Sequence, residues 1–61
     1  MDLLTEHEAA KKLSISVETL RNRRKQGRAP AYVKIGSSVR YRDDILDKFI
    51  ADAEIKPKEK V

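Results

Sequence analysis

Only Ser14-Ile15-Ser16 separates two stretches that both read as helix, and this spacing constrains the fold more than any other feature of the chain. Upstream, Thr5-Glu6-His7-Glu8 has the form of a capping box: the Thr5 side chain accepts from the amide of Glu8, and the Glu8 carboxylate reaches back to the amide of Thr5. Leu4 precedes the cap, where it can staple onto Ala9. This predicts a first helix from about Glu6 to Leu13, with Ala9, Ala10 and Leu13 as its buried stripe. Downstream, Ser16 is a good N-cap. A second helix is expected from about Val17 to Gln26, stopped by Gly27 at its C′ position. Helices joined by so short a turn must cross at a large angle, as in a helix-turn-helix. Ile15 would plug the gap between them.

The remainder completes a small α-α-β-β-α pattern, mainly α with a β-hairpin. Ala29-Pro30-Ala31 forces an extended exit from the second helix. Tyr32-Val33-Lys34-Ile35 and Val39-Arg40-Tyr41-Arg42 are β-branched and aromatic arms around a Gly36-Ser37-Ser38 turn, which reads as a hairpin. Val39 and Tyr41 alternate with Arg40 and Arg42, so one face is expected to be apolar and the other basic. Asp43 or Asp44 is expected to cap a third helix from about Asp44 to Ala53, whose buried face is Ile45, Leu46, Phe49 and Ile50. Residues 1–53 then form one domain. Residues 54–61 are charged, contain Pro57, and are expected to be a flexible tail.

With 61 residues the chain holds one domain at most. It has no cysteine, so disulfides and thiolate metal sites are excluded, and the lone His7 cannot build a metal site by itself. No apolar run approaches the ~20 residues of a membrane span, and no signal peptide is legible. A cytoplasmic, nucleoid-associated protein without cofactor, small-molecule substrate or membrane partner is expected. Net charge is only +4, but residues 21–42 hold eight basic side chains and no acidic one: Arg21, Arg23, Arg24, Lys25, Arg28, Lys34, Arg40 and Arg42. The other 39 residues hold six basic and ten acidic groups. A cationic centre between acidic flanks is the electrostatic footprint of a nucleic-acid-binding face.

A helix fits the major groove when one face buries and the other carries hydrogen-bonding groups. Val17 and Leu20 point inward on the second helix, leaving Glu18, Thr19, Arg21, Asn22 and Lys25 as the reading set. Asn pairs with adenine, Arg with guanine, and Glu accepts from cytosine. Ser16 at the helix start, Arg24 and Arg28 are candidate phosphate contacts, and the arginine stems at 23 and 24 can also cover apolar surface. The hairpin adds Lys34, Ser37, Ser38 and Arg40, whose task is positioning rather than reading. Competing readings are weaker. His7 reads as an exposed helix residue. Asp43 and Asp44 read as helix-start acids rather than an acid/base pair, and no enzymatic activity is expected. Tyr41 reads as core, while Tyr32 is open to either burial or base stacking. The Gly36-Ser37-Ser38 turn is not followed by the lysine of a phosphate loop.

The run Leu4-Thr5-Glu6-His7-Glu8-Ala9-Ala10…Leu13, with Ser16-Val17-Glu18-Thr19-Leu20-Arg21 and Tyr32-Val33-Lys34-Ile35-Gly36…Val39-Arg40-Tyr41-Arg42-Asp43-Asp44-Ile45…Phe49, resembles the excisionase/AlpA-type winged helix-turn-helix proteins of phages and integrative elements. These look like a minimal MerR-type DNA-binding domain. The resemblance spans about residues 3–52. It implies that the second helix enters the major groove and that the wing meets backbone or minor groove. It also implies one of two roles. The first is an excisionase, or recombination directionality factor, that binds repeated sites cooperatively and bends attachment-site DNA beside an integrase. The alternative is an AlpA-type promoter-binding regulator. A protein-interaction adaptor and an RNA binder are the readings from other classes. The chain departs from the family where Ser14 replaces a frequent glycine, Arg23 a frequent apolar residue, and neutral Ser37 and Ser38 a basic wing tip. Phe49 stands where many members carry tryptophan.

Overall fold

The computed structural model describes residues 2–55. The elements are β1 (Leu3–Leu4), α1 (Glu6–Leu13), α2 (Val17–Lys25), β2 (Val33–Ile35), β3 (Ser38–Arg42) and α3 (Asp43–Ala53). The architecture is mainly helical with a small antiparallel sheet, a winged helix-turn-helix.

Local chemistry explains the helix pair. The amide of Thr5 donates to Glu8 Oε1 at 2.9 Å and the amide of Glu8 to Thr5 Oγ1 at 3.2 Å, closing the capping box. At the other end of α1, Ser14 is left-handed, with φ 58° and ψ 38°. The N–H of Ser14 donates to the Lys11 carbonyl at 3.1 Å, and the N–H of Ile15 to that of Ala10 at 3.0 Å. These two bonds form a Schellman motif. After α2, Gly27 repeats it at φ 70°, with Gly27 N–H on the Arg24 carbonyl and Arg28 N–H on that of Arg23. Ser16 caps α2, its Oγ accepting from the amide of Thr19 at 3.1 Å. Both helices therefore begin and end where local rules place them.

The core is Ala9, Ala10, Leu20, Tyr41 and Leu46, with Leu4, Leu13, Ile15, Val17 and Val39 packed against it. The two alanines on α1 leave room for α2 and the sheet to approach closely. Leu20 anchors α2, Tyr41 anchors the wing, and Leu46 anchors α3.

Four expectations need correction. Residues 3–4 are not a mere lead-in: they form β1, pairing Leu3 with Arg42 and Leu4 with Tyr41, so the sheet has the order β1-β3-β2. Nor is α3 capped by a side chain. Its N-cap is Arg42, the last residue of β3, and no loop intervenes. The amide of Asp43 instead donates to the Asp2 carbonyl at 2.9 Å, which frees both acids for ion pairs. Asp43 meets Lys12, and Asp44 accepts two hydrogen bonds from the Arg42 guanidinium. Ile50 is not buried but 42% exposed, because nothing among the described residues packs on that side of α3.

Finally, the wing is not divided into an apolar and a basic face. Register places Val33 opposite Arg40, Lys34 opposite Val39 and Ile35 opposite Ser38. Directly opposed residues share a face, so Lys34 lies with Val39, and Arg40 with Val33. The turn is the two residues Gly36-Ser37, with Gly36 at φ 61°, the sign that a II′ hairpin requires at its first central position. Ser38 belongs to β3. Of the expected tail, Glu54 and Ile55 are exposed, and 56–61 lie outside the described residues.

Candidate nucleic-acid interface

Three elements meet around one groove: the first turn of α1, α2 at Arg24, and the wing. This polar groove, of about 490 Å³, is bordered by Glu6, Arg24, Lys34, Ser37, Ser38 and Arg40, with Thr5, His7 and Val39 completing its rim. His7 is exposed there.

On α2, Val17 and Leu20 turn toward the core. Glu18, Arg21, Asn22 and Lys25 follow at intervals of three and four, so they form one stripe along the helix. Glu18, Asn22 and Lys25 are exposed, while Arg21 is half-buried. Thr19 stands apart from this stripe. Its hydroxyl lies 2.8 Å from that of Ser16, and it borders a separate cleft with Phe49 and Ile50. The Ser16 hydroxyl is occupied in capping α2.

The basic segment divides by what each cation touches. Arg21 Nε lies 3.5 Å from Glu6 Oε1, and Arg24 Nη2 lies 3.4 Å from Glu6 Oε2. The Arg24 guanidinium also stands 5.8 Å from the Tyr32 ring centroid, and Tyr32 in turn tilts against Tyr41. Arg23 lies over Phe49 at 5.4 Å, and its Nε donates to the Ala29 carbonyl at 2.6 Å. The Arg23 stem thus covers the apolar surface that an aliphatic residue would otherwise fill. Arg40 donates to its neighbour's carbonyl at Val39, and Arg42 pairs with Asp44. Lys25, Arg28 and Lys34 are exposed and make no ion pair within the described residues. Lys34, Ser37 and Ser38 are exposed around the wing tip.

The family model for the helix-turn-helix domain matches residues 3–53. The chain belongs to that family, the excisionase- and AlpA-like small helix-turn-helix proteins. As a helix-turn-helix domain it is a DNA-binding chain, and α2 holds the position of the second helix of the motif. No curated protein and no solved structure matches it. Among the described residues, no helix is long and apolar enough to cross a membrane, and no three His, Asp or Glu side chains are grouped to hold a metal ion.

Sequence reasoning missed Glu6 in this helix-turn-helix. It reads locally as a first-turn acid, favoured there by the helix dipole. Its contacts to Arg21 and Arg24 depend on how α1 crosses α2, and no residue pattern within either helix encodes that.

Proposed function

We propose that this helix-turn-helix domain reads duplex DNA with α2 in the major groove and the wing on the backbone. One observation carries the reading: Glu18, Arg21, Asn22 and Lys25 share a stripe of α2, and Arg24, tied with Arg21 to Glu6, borders a polar groove together with Lys34 and Arg40 of the wing. Asn22 and Arg21 are the base-reading groups, with Glu18 beside them. Lys25, Arg28 and Lys34, unpaired within the described residues, neutralise phosphates. Ser16, Arg24, Ser37, Ser38 and Arg40 add backbone contacts. Thr19 contacts the duplex only at the edge of the interface.

A single recognition helix reads few base pairs, so affinity comes from copies on adjacent sites. The role that fits is that of an excisionase acting in the cytoplasm beside an integrase, bending attachment-site DNA without catalysing the strand exchange and without a cofactor. Footprinting on the attachment and promoter DNA of its own element tests this. Protection of tandem sites in the attachment region, together with failure of excision when the chain is removed, supports the role. Protection confined to a promoter, with excision intact, makes the chain a transcriptional regulator instead.

A further inference from the structure

Glu6 places a carboxylate inside a surface that otherwise gathers cations. It is the first residue of α1, its side chain is 18% exposed, and it is bracketed by Arg21 and Arg24 of α2. By simple electrostatics a carboxylate here repels phosphate and weakens every duplex complex. The neighbouring atoms point to what offsets that repulsion. Arg21 Nε lies 3.5 Å from one oxygen of Glu6 and Arg24 Nη2 lies 3.4 Å from the other, so one carboxylate restrains two guanidiniums one helical turn apart. Arg24 is held from a second side by the Tyr32 ring. Three buried polar atoms in this junction, Glu6 Oε2, Arg24 Nε and the Tyr41 hydroxyl, lack a hydrogen-bond partner. The junction holds Arg24 at the edge of the groove that faces the wing.

We propose that Glu6 is a positioning residue for DNA reading: from α1 it fixes the Arg21 and Arg24 side chains of α2 before the duplex arrives. The inference rests on the DNA-binding reading above. An unrestrained arginine explores many rotamers and finds an acceptor on any sequence, and ordering it on binding costs entropy. A restrained guanidinium meets its acceptor only where the duplex presents one at the right place. Glu6 thus trades affinity on arbitrary DNA for discrimination between sequences.

The test compares the wild-type chain with Glu6→Gln on two duplexes. One is selected by the wild-type chain from a randomised pool, and the other is its scrambled counterpart. Positioning predicts that Glu6→Gln binds the scrambled duplex as well as or better than wild type, and the selected duplex less well. Discrimination between them falls by roughly tenfold, about the worth of one base contact. Equal tightening on both duplexes, with discrimination retained, overturns the proposal, because Glu6 is then only a repulsive charge. A wild-type chain that shifts neither duplex overturns the DNA-binding reading itself, and the proposal with it. An independent readout uses the wild-type chain alone. The Nε–H signals of Arg21 and Arg24 should be resolved from that of exposed Arg28 and exchange more slowly with solvent. Signals averaged with Arg28 overturn the proposal whether or not Glu6→Gln folds.

Discussion

The N–H of Ile15 donates to the carbonyl of Ala10 at 3.0 Å, and this bond turns the chain from the first helix toward the second. It forms only because Ser14, between them, adopts a left-handed backbone at φ 58°. An L-residue with a Cβ is strained there by about 1 kcal/mol, whereas glycine is not. Ser14→Gly should therefore raise the unfolding free energy by about that amount, less what glycine loses in the unfolded chain. A denaturant titration with unchanged slope and a higher midpoint would show it. A lower midpoint would mean that the turn carries no such strain.

Acid should weaken the fold through two carboxylates. The Thr5 backbone N–H, and then its side chain, hold Glu8 below its ordinary pKa, and the Arg42 guanidinium holds Asp44 below its own. Both groups bind their proton more weakly folded than unfolded. Their stabilisation is complete above the ordinary values, 4.5 for Glu8 and 3.8 for Asp44, and fades as pH falls through the lowered ones. Melting temperatures measured across this range should fall with pH. The fall should be shallower in Glu8→Gln, which keeps no titratable group at the cap; an identical acid limb in that variant would remove the capping box as its source.

Lys12 behaves in the opposite sense. Asp43 first, and Asp47 after it, raise its pKa by hydrogen bonding, so its contribution is full below the ordinary lysine value and is lost as pH rises through the raised one. It ties α1 to the start of α3. Lys12→Met should lower the melting temperature at neutral pH, and the difference should shrink as salt is added. A difference independent of salt would assign the effect to packing rather than charge.

The Tyr41 hydroxyl gives a prediction of another kind. The residue is fully buried, burial pushes its pKa up, and the hydroxyl makes no hydrogen bond of normal geometry, the nearby Arg24 guanidinium countering only part of that rise. Tyr41→Phe removes an unsatisfied polar atom while keeping the ring, so stability should stay level or rise. Tyr41→Ala should cost about 3–5 kcal/mol, as for other large aromatic cores. Thermal unfolding of both variants separates ring from hydroxyl; a marked loss in Tyr41→Phe would mean that the hydroxyl is bonded after all.

What the sequence disclosed follows the range of the interactions. Thr5 with Glu8, Ser16 with Thr19, and Gly27 after α2 are contacts within a few residues, so residue type and spacing announce them. The apolar spacing of Val17, Leu20 and Leu46 announces the core in the same way. Strand β1 is two leucines with no period, and only its pairing with Tyr41 and Arg42, far along the chain, makes it a strand. Asp43 looks like a cap because caps are local. The Asp2 carbonyl and Lys12 that take up its amide and carboxylate are not. For the candidate interface, the exposure of Glu18, Asn22 and Lys25 on α2 was legible from helical spacing, but the division of cations into paired and unpaired was not, because Glu6, Ala29 and Phe49 reach Arg21, Arg23 and Arg24 only through tertiary packing.

On the proposed reading, α2 and the wing bind duplex DNA through Lys25, Arg28 and Lys34 and read it through Asn22. A mobility shift titrated with salt, on a duplex selected by the chain and on its scrambled counterpart, tests this most directly. Three phosphate contacts imply that log K falls with log salt at a slope of about −3 or steeper. Lys25→Ala should make that slope shallower by about 1 on both duplexes. Asn22→Ala should cost about 1–3 kcal/mol on the selected duplex alone and leave the slope unchanged. A slope near zero, or an equal loss on both duplexes in Asn22→Ala, would contradict the account.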